Sequence, residues 1–141
     1  MNVESQESWT GLLPTLCPET QPFWDACNQN KFIVQKCQAC GNPQYHYRAF
    51  CCHCWSEAVE DRAIEGTGTV WTFSVVNRNL TPAFASWGRY VVGVVEVPEG
   101  VKIVTKIETP DPDSVRIGTP VRLAFARAEN GQNIPFFRTV S

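Results

Sequence analysis

The sequence has little charge and no excess of positive charge. Only 18% of its 141 residues are Asp, Glu, Lys or Arg, and the formal net charge is -2. Proteins that bind nucleic acid draw on surplus cations to displace counterions from phosphate. The charge balance therefore disfavours a nucleic-acid partner.

Long apolar runs are also missing. The longest stretch, residues 90–95, contains Gly93 and falls far short of the roughly 20 residues that a membrane-spanning helix needs. Residues 1–7 are polar and acidic, where a secretion signal would be basic and then apolar. We therefore predict a cytoplasmic protein without a membrane span.

Histidine is scarce, which limits the catalytic chemistry that the chain can perform. It has two histidines, His46 and His53, and both lie beside the cysteine cluster described next. Serine and aspartate elsewhere have no histidine through which to relay a proton. We therefore expect no catalytic residues and no activity of the isolated chain.

Cysteine, by contrast, is abundant. The chain has seven, an odd number that excludes a fully paired disulfide framework. Between residues 37 and 54 two Cys-x-x-Cys pairs are separated by ten residues. Such facing pairs are typical of a zinc ribbon, in which each pair forms a knuckle that presents two thiolates. We predict that one structural zinc ion is bound by Cys37, Cys40, Cys51 and Cys54.

The spacing decides which cysteines bind the metal. Cys52 would lie inside the second turn, and His46 and His53, although able to bind zinc, do not preserve the paired spacing. Four thiolates around one divalent cation leave no open position for water or substrate. Gly41 follows the first pair, where a knuckle often needs positive φ. A redox-active pair is the competing interpretation, although that motif normally occurs once.

The remaining patterns predict a mainly β protein. Pro22 in the first turn and an apolar face formed by Phe23, Trp24 and Cys27 indicate a short helix near residues 20–27. A strand follows and leads into the first knuckle. Beyond Ala63, alternation with period two predicts five strands, at residues 67–77, 89–97, 101–108, 121–126 and 134–138.

This order of elements favours an OB-type barrel over an open sheet or small sandwich, because a single helical turn is expected at 111–116, between the third and fourth strands. The last strand should be an edge strand, which would tolerate Pro135. We place Trp71, Phe73 and Val75 together on the inner face of the first strand. The predicted division is an N-terminal extension, a helix with the zinc ribbon, and an OB-fold domain, at residues 1–19, 20–62 and 63–141.

Two segments are unusually apolar for their position. The loop at residues 79–88 carries Phe84 and Trp87, which we predict to contact a ligand or partner; covering the barrel core is the alternative. The N-terminal extension carries apolar residues that either pack on the protein's own surface or dock on a partner, namely Trp9, Leu12, Leu13 and Leu16.

The order of motifs resembles a zinc-ribbon and OB-fold family associated with acyl-CoA and long known only as a domain of unknown function. The likeness begins near Thr20 and rests on the Pro-Phe-Trp helix, both cysteine pairs and the runs at 66–76, 90–96, 100–105, 115–121 and 134–138. Two positions depart from the family pattern: Cys52 stands where proline is common, and Trp55 where glycine is usual. Neither departure removes a predicted ligand.

The resemblance implies an accessory subunit of a thiolase-like enzyme, such as a thiolase, an acyltransferase, a hydroxymethylglutaryl-CoA synthase or a lipid-transfer-protein type aldolase. The large subunit would carry the catalytic residues, and the small one would help to form the CoA-ester site in a hetero-oligomer. Any contacts to the CoA phosphates would come from the cations of the barrel, Arg78, Arg89, Lys102, Lys106 or Arg122.

A single-stranded nucleic-acid module is the alternative function. Zinc ribbons and OB barrels both serve that role, and the aromatic rings of Trp71 and Phe73 could stack on bases. The acidic net charge argues against it.

Overall fold

The computed structural model describes residues 7–140, which form one short α-helix and two β-sheets. The N-terminal part contains β1 (Glu7–Ser8) and α1 (Gln21–Cys27). The cysteine-rich part contains β2 (Ile33–Cys37), β3 (Pro43–Gln44) and β4 (Val59–Ala63). The C-terminal part contains β5 (Thr67–Val76), β6 (Tyr90–Glu96), β7 (Lys102–Glu108), β8 (Pro120–Arg127) and β9 (Asn133–Thr139). None of the helices described is long and apolar enough to cross a membrane.

The helix α1 joins the ribbon to the rest of the protein. Pro22 lies in its first turn, where the missing N–H costs no hydrogen bond, and Thr20 is its N-cap residue. Phe23 and Cys27 are buried on one face, as their spacing predicts. The ring of Phe23 packs edge-on against Phe32, with 5.1 Å between ring centroids.

The ribbon is a three-stranded antiparallel sheet with β2 at its centre. β3 pairs with it through Lys36 and Pro43, and β4 pairs along its full length from Ile33 opposite Ala63. β4 therefore belongs to the ribbon up to Ala63, and the division of the chain at residues 62 and 63 stays a prediction.

The five C-terminal strands close into a barrel, which confirms the OB-type prediction. β5, β6 and β7 form an antiparallel meander, β8 pairs with β5, and β9 pairs antiparallel with β8. A short parallel pairing between β7 and β9, Ile107 opposite Phe137, completes the closure. The single helical turn expected between β7 and β8 is present as a 3-10 turn at Pro112–Ser114.

Two details of the strand prediction are wrong. β9 is not an edge strand, because it lies between β8 and β7. Pro135 is tolerated there since the pairing with β7 begins only at Phe137, so no bond to β7 is lost at the proline. Trp71 does not share the inner face with Phe73: the β5–β6 register shifts between Val70 and Thr72, and the shift turns Trp71 outward.

The barrel interior is filled by β-branched and aromatic side chains, of which Val91, Phe125 and Phe137 have no measurable exposure. Beyond the bulge, Phe73 packs against this core. Trp71 remains 50% exposed.

The N-terminal segment covers part of the outer barrel surface. β1 runs parallel to β8, with Glu7 opposite Ala126. Trp9 packs against a second small cluster formed by Ala124, Ala126 and Phe136. Trp9 thus packs on the protein's own surface, whereas Leu12, Leu13 and Leu16 are exposed.

Candidate functional site

The four predicted metal ligands are brought together by the two knuckles of the ribbon. The Sγ atoms of Cys37, Cys40, Cys51 and Cys54 all lie within 4.8 Å of one another. The Cys37–Cys54 and Cys40–Cys51 sulfur pairs are each 3.6 Å apart. A tetrahedral zinc ion with Zn–S bonds of about 2.3 Å places its sulfurs about 3.8 Å apart. The cluster therefore fits one zinc ion held entirely by protein ligands.

Backbone N–H groups orient the sulfur atoms. The N–H groups of Ala39 and Cys40 donate to Cys37 Sγ at 3.3 and 3.4 Å, and the N–H of His53 donates to Cys51 Sγ at 3.3 Å. Peptide donors of this kind stabilise a thiolate and fix its position, as outer hydrogen bonds do around metal sites. The backbone of the knuckles thus holds the sulfur atoms in positions suited to binding a cation.

The electrostatics of the cluster favour such a cation. Hydrogen bonds from the backbone and then the side chain of Asn42 lower the pKa of Cys40 to about 6. The N–H of Cys40 lowers the pKa of Cys37. Although the N–H of Ser56 favours the thiolate of Cys54, its neighbours, led by Cys37, raise the pKa of Cys54 to about 12. Four thiolates this close repel one another unless a metal compensates their charge.

The other cysteines and the two histidines lie outside the four-sulfur group. Cys52 is exposed on the second knuckle, and its N–H donates to Gln44 Oε1 at 2.9 Å. Cys17 is exposed, whereas burial raises the pKa of Cys27 to about 12. Neither histidine contributes to the cluster in the part of the chain that the structure describes.

Two buried glutamines that the sequence patterns did not indicate hold the loop that leads to the second knuckle. Gln44 Nε2 donates to Gln35 Oε1 at 2.7 Å and to the Phe50 carbonyl at 3.1 Å. Gln35 in turn accepts from the N–H of Arg48 and donates to its carbonyl. The feature of the sequence that could have indicated this pair is the polar residue Gln35, which follows apolar residues in β2.

A cavity of about 260 Å³ lies between α1, the ribbon and the barrel. Its residues from β7 and β9 come mainly from the parts of the two strands that precede their pairing at Ile107 and Phe137. Five lining residues carry polar side-chain groups, namely Thr20, Tyr45, His46, Tyr47 and Thr105. The other lining residues are mainly apolar and aromatic, namely Phe23, Trp24, Phe32, Ile103, Val104, Ile134, Pro135 and Phe137. The cavity joins elements distant in sequence, so no local pattern indicated it.

The apolar loop between β5 and β6 folds onto the barrel. Trp87 packs edge-on against Phe84 and Tyr90, with ring centroids 4.8 and 5.0 Å away. Lys106 Nζ lies 4.1 Å from the centroid of the Trp87 ring. Phe84 and Trp87 are both half-buried in this cluster, and their contact with a partner stays a prediction.

Of the five predicted cations, Lys102 and Lys106 lie on β7, Arg122 lies on β8, and Arg78 and Arg89 lie in the loop between β5 and β6. Arg89 forms an ion pair with Asp113 at 2.8 Å, and Lys106 forms one with Glu108 at 2.8 Å. Lys102 Nζ lies 4.7 Å from the centroid of the Trp71 ring. The other two, Arg78 in the loop after β5 and Arg122 in β8, are exposed.

Two family models match consecutive parts of the chain. Residues 24–60 match the rubredoxin-like zinc ribbon domain of ChsH2, and residues 61–126 match its C-terminal OB-fold domain. Both assignments agree with the ribbon and barrel described above.

Two curated relatives show similar levels of identity. A DUF35 domain-containing scaffold protein of Methanothermobacter thermautotrophicus is 34% identical over 118 residues, which cover 82% of this chain and 88% of the relative. A probable enoyl-CoA hydratase alpha subunit of Thermomonospora curvata is 34% identical over 117 residues, 82% of this chain. The match spans only 36% of that longer protein.

Solved structures show the same architecture. A chain of the Ltp2-ChsH2(DUF35) aldolase superposes with a TM-score of 0.79 at 31% identity, over 90% of this chain and 98% of that one. A DUF35 protein of unknown function from Sulfolobus solfataricus has a TM-score of 0.59 at 17% identity, over 87% and 86% of the two chains, a likeness in fold alone. Together with the matched ribbon and barrel, these similarities show that the chain belongs to the DUF35 family, in its ChsH2-type arrangement of zinc ribbon and OB-fold domain.

Proposed function

We propose that this chain is a non-catalytic accessory subunit that binds a thiolase-fold enzyme and helps to form its CoA-ester site. The partner would be a thiolase, an acyltransferase or a lipid-transfer-protein type aldolase. The observation that carries the proposal is the likeness to the Ltp2-ChsH2(DUF35) aldolase, at 31% identity over 90% of the chain. The name of that structure joins a DUF35 protein to an aldolase, and the archaeal relative is named a scaffold protein.

The chemistry of the metal cluster supports a role without catalysis. Four cysteines fill the coordination sphere of a zinc ion, so the metal would supply folding free energy and no open position for substrate. The partner would then provide the nucleophile and the acid–base groups. None of the seven cysteines forms a disulfide within residues 7–140, which is in keeping with a reducing compartment, and we place the complex in the cytoplasm.

The cavity between ribbon and barrel supports a contribution to a thioester site. Its wall is mostly aromatic and aliphatic, and binding sites for small molecules combine such walls with a few polar groups. At about 260 Å³ it is smaller than the pocket that a whole CoA ester would need. In this proposal the chain supplies one wall of a site that the partner completes.

The loop residues Phe84 and Trp87 would contact the partner or ligand, and the barrel cations would meet the CoA phosphates. Arg89 and Lys106 are held by acidic neighbours, with which a phosphate would have to compete. Arg78 is exposed and has no ion pair among residues 7–140. We therefore rank Arg78 first among the cations for a phosphate contact.

The nucleic-acid alternative has one observation in its favour. Trp71 is half exposed on the outer barrel surface beside Lys102, an arrangement on which a base could stack. The net charge of -2 provides little attraction for a phosphate backbone. Trp71→Ala should abolish oligonucleotide binding if the alternative holds, and should leave partner binding unchanged in our proposal.

Co-expression with the thiolase-like protein encoded nearest to this chain tests the proposed function. We expect the two proteins to elute together, and an acyl-CoA substrate to be turned over by the complex but not by the isolated chain. Turnover of a thioester by the isolated chain would contradict the proposal. A monomer that ignores such partners but binds oligonucleotide with a steep salt dependence would favour the alternative.

A further inference from the structure

Residues 7–11, which we call the strap, cross the outer face of the barrel beside β8. β5 pairs only with the first part of β8, from Pro120 to Arg122. The strap pairs with the end of β8 that β5 leaves uncovered, through Ser8 opposite Arg127. The N–H of Trp9 extends this pairing with a 2.8 Å hydrogen bond to the Arg127 carbonyl.

The strap also holds the apolar loop between β5 and β6. Trp87 Nε1 donates a 2.7 Å hydrogen bond to Thr10 Oγ1. The rings of Trp9 and Trp87 meet edge-to-face, with centroids 5.1 Å apart. Beneath them lie Ala126 and Phe136, which line a space of only about 30 Å³. Strap and loop therefore close together over a part of the outer barrel surface where Ala126 and Phe136 lie beside the Lys106–Glu108 ion pair.

Gly11 makes this close approach possible. A Cβ atom at this position would lie 2.8 Å from ring carbons of both Trp9 and Trp87. Its φ lies outside the left-handed region, so the backbone itself would accept another residue. The contact between the two indoles is thus what restricts the position to glycine.

Few interactions fasten the strap, compared with the barrel that it covers. β1 is two residues long, and one side-chain hydrogen bond links the strap to the loop. Segments with so little pairing open at a much lower free energy than strands buried in a core. The strap also precedes residues 24–126, the part matched by the family models, so it is a feature of the N-terminal extension.

We propose that the strap is a reversible cover: when it opens, the apolar face of Trp87, Ala126 and Phe136 becomes accessible and the 79–88 loop loses its order. This inference concerns the isolated chain and does not depend on any partner. It assigns a role to Trp9, Thr10 and Gly11 that their positions in sequence do not suggest.

Hydrogen–deuterium exchange on the full chain tests the proposal. In Gly11→Val the loop at 79–88 should exchange about tenfold faster, and in Thr10→Val about threefold faster, since one aromatic contact or one hydrogen bond is lost. The matched control Thr15→Val makes the same change at an exposed residue outside the strap and should exchange as the wild type does.

Binding of an apolar dye should increase in the same order as the exchange. The proposal would be overturned if the loop exchanged at the wild-type rate in both Gly11→Val and Thr10→Val. It would also be overturned if exchange became faster without an increase in dye binding. If Gly11→Val disturbs the barrel, seen as faster exchange in β6, Thr10→Val decides by the same two readouts.

Discussion

Gly41 and Trp55 occupy the same position in the two zinc knuckles and share one backbone conformation, with φ of 79° and 69°. Each donates its N–H to the carbonyl of the first cysteine of its knuckle, at 2.9 and 3.0 Å. Glycine adopts this conformation freely, whereas an L-residue loses about 1–2 kcal/mol. The Trp55 ring stacks on Phe50 at 5.2 Å and offsets part of that cost.

Because of this shared conformation, we expect glycine to be more stabilising than alanine at position 55, the reverse of the usual order. Trp55→Gly should have a free energy of unfolding about 1 kcal/mol higher than Trp55→Ala, because both lose the stacking but only alanine keeps the strain. Chemical denaturation of the zinc-loaded variants measures the difference.

The control for the knuckle prediction is Ala58→Gly. Ala58 is exposed and lacks a positive φ, so this change should destabilise by about 0.4–1 kcal/mol in the usual direction. Equal stability of Trp55→Gly and Trp55→Ala would show that the left-handed conformation at Trp55 carries no cost.

The buried glutamine pair predicts a large effect for one polar substitution. Gln44→Ala leaves Gln35 Oε1 with one donor fewer and removes the acceptor of the Cys52 N–H. We expect the free energy of unfolding to fall by about 1–3 kcal/mol, the cost of buried polar groups left without partners. Gln29→Ala, at an exposed residue just after α1, is the control and should change it by less than about 0.5 kcal/mol. Similar values for the two variants would contradict this role of Gln44.

The Arg89–Asp113 pair predicts how acid affects the 3-10 turn. The hydrogen bond and charge of Arg89 lower the pKa of Asp113 below its usual range. Because the pKa is lowered in the folded state, the stabilisation is present above the ordinary value of about 3.9 and is lost as the pH falls through the lowered value. Arg89→Gln should return the pKa of Asp113 towards that ordinary value in a carboxyl NMR titration.

Arg78→Gln is the control for this titration, since Arg78 does not contribute to the lowered pKa of Asp113. The stability difference between wild type and Arg89→Gln should also shrink as the pH falls through the lowered pKa of Asp113. A titration of Asp113 that is the same with and without Arg89 would rule out the pair as the cause.

Local sequence rules predicted the features that depend on short-range geometry. The x-x spacing of the cysteines was enough to identify the four sulfurs that meet, and Gly41 has the positive φ expected in a knuckle. Alternation located the barrel strands because inward side chains such as Ile103 and Ile107 recur with period two.

Features that depend on tertiary pairing could not be predicted in this way. A bulge changes which residues of a strand face inward, and no residue around Trp71 indicates that a bulge occurs there. The alternation in β8 predicts that Ala124 and Ala126 face outward to solvent. They are nevertheless buried, because Trp9, more than 100 residues earlier in the chain, covers them. Closure of the barrel at β9 likewise depends on β7, which is remote in sequence.

The most direct test of the structural zinc site compares two adjacent cysteines. Cys51 belongs to the four-sulfur group, and Cys52 lies outside it on the same turn. Elemental analysis should give about one zinc per chain for the wild type and for Cys52→Ser, and clearly less for Cys51→Ser. A wild-type protein that is folded and free of metal, or a loss of zinc in Cys52→Ser rather than in Cys51→Ser, would contradict the account.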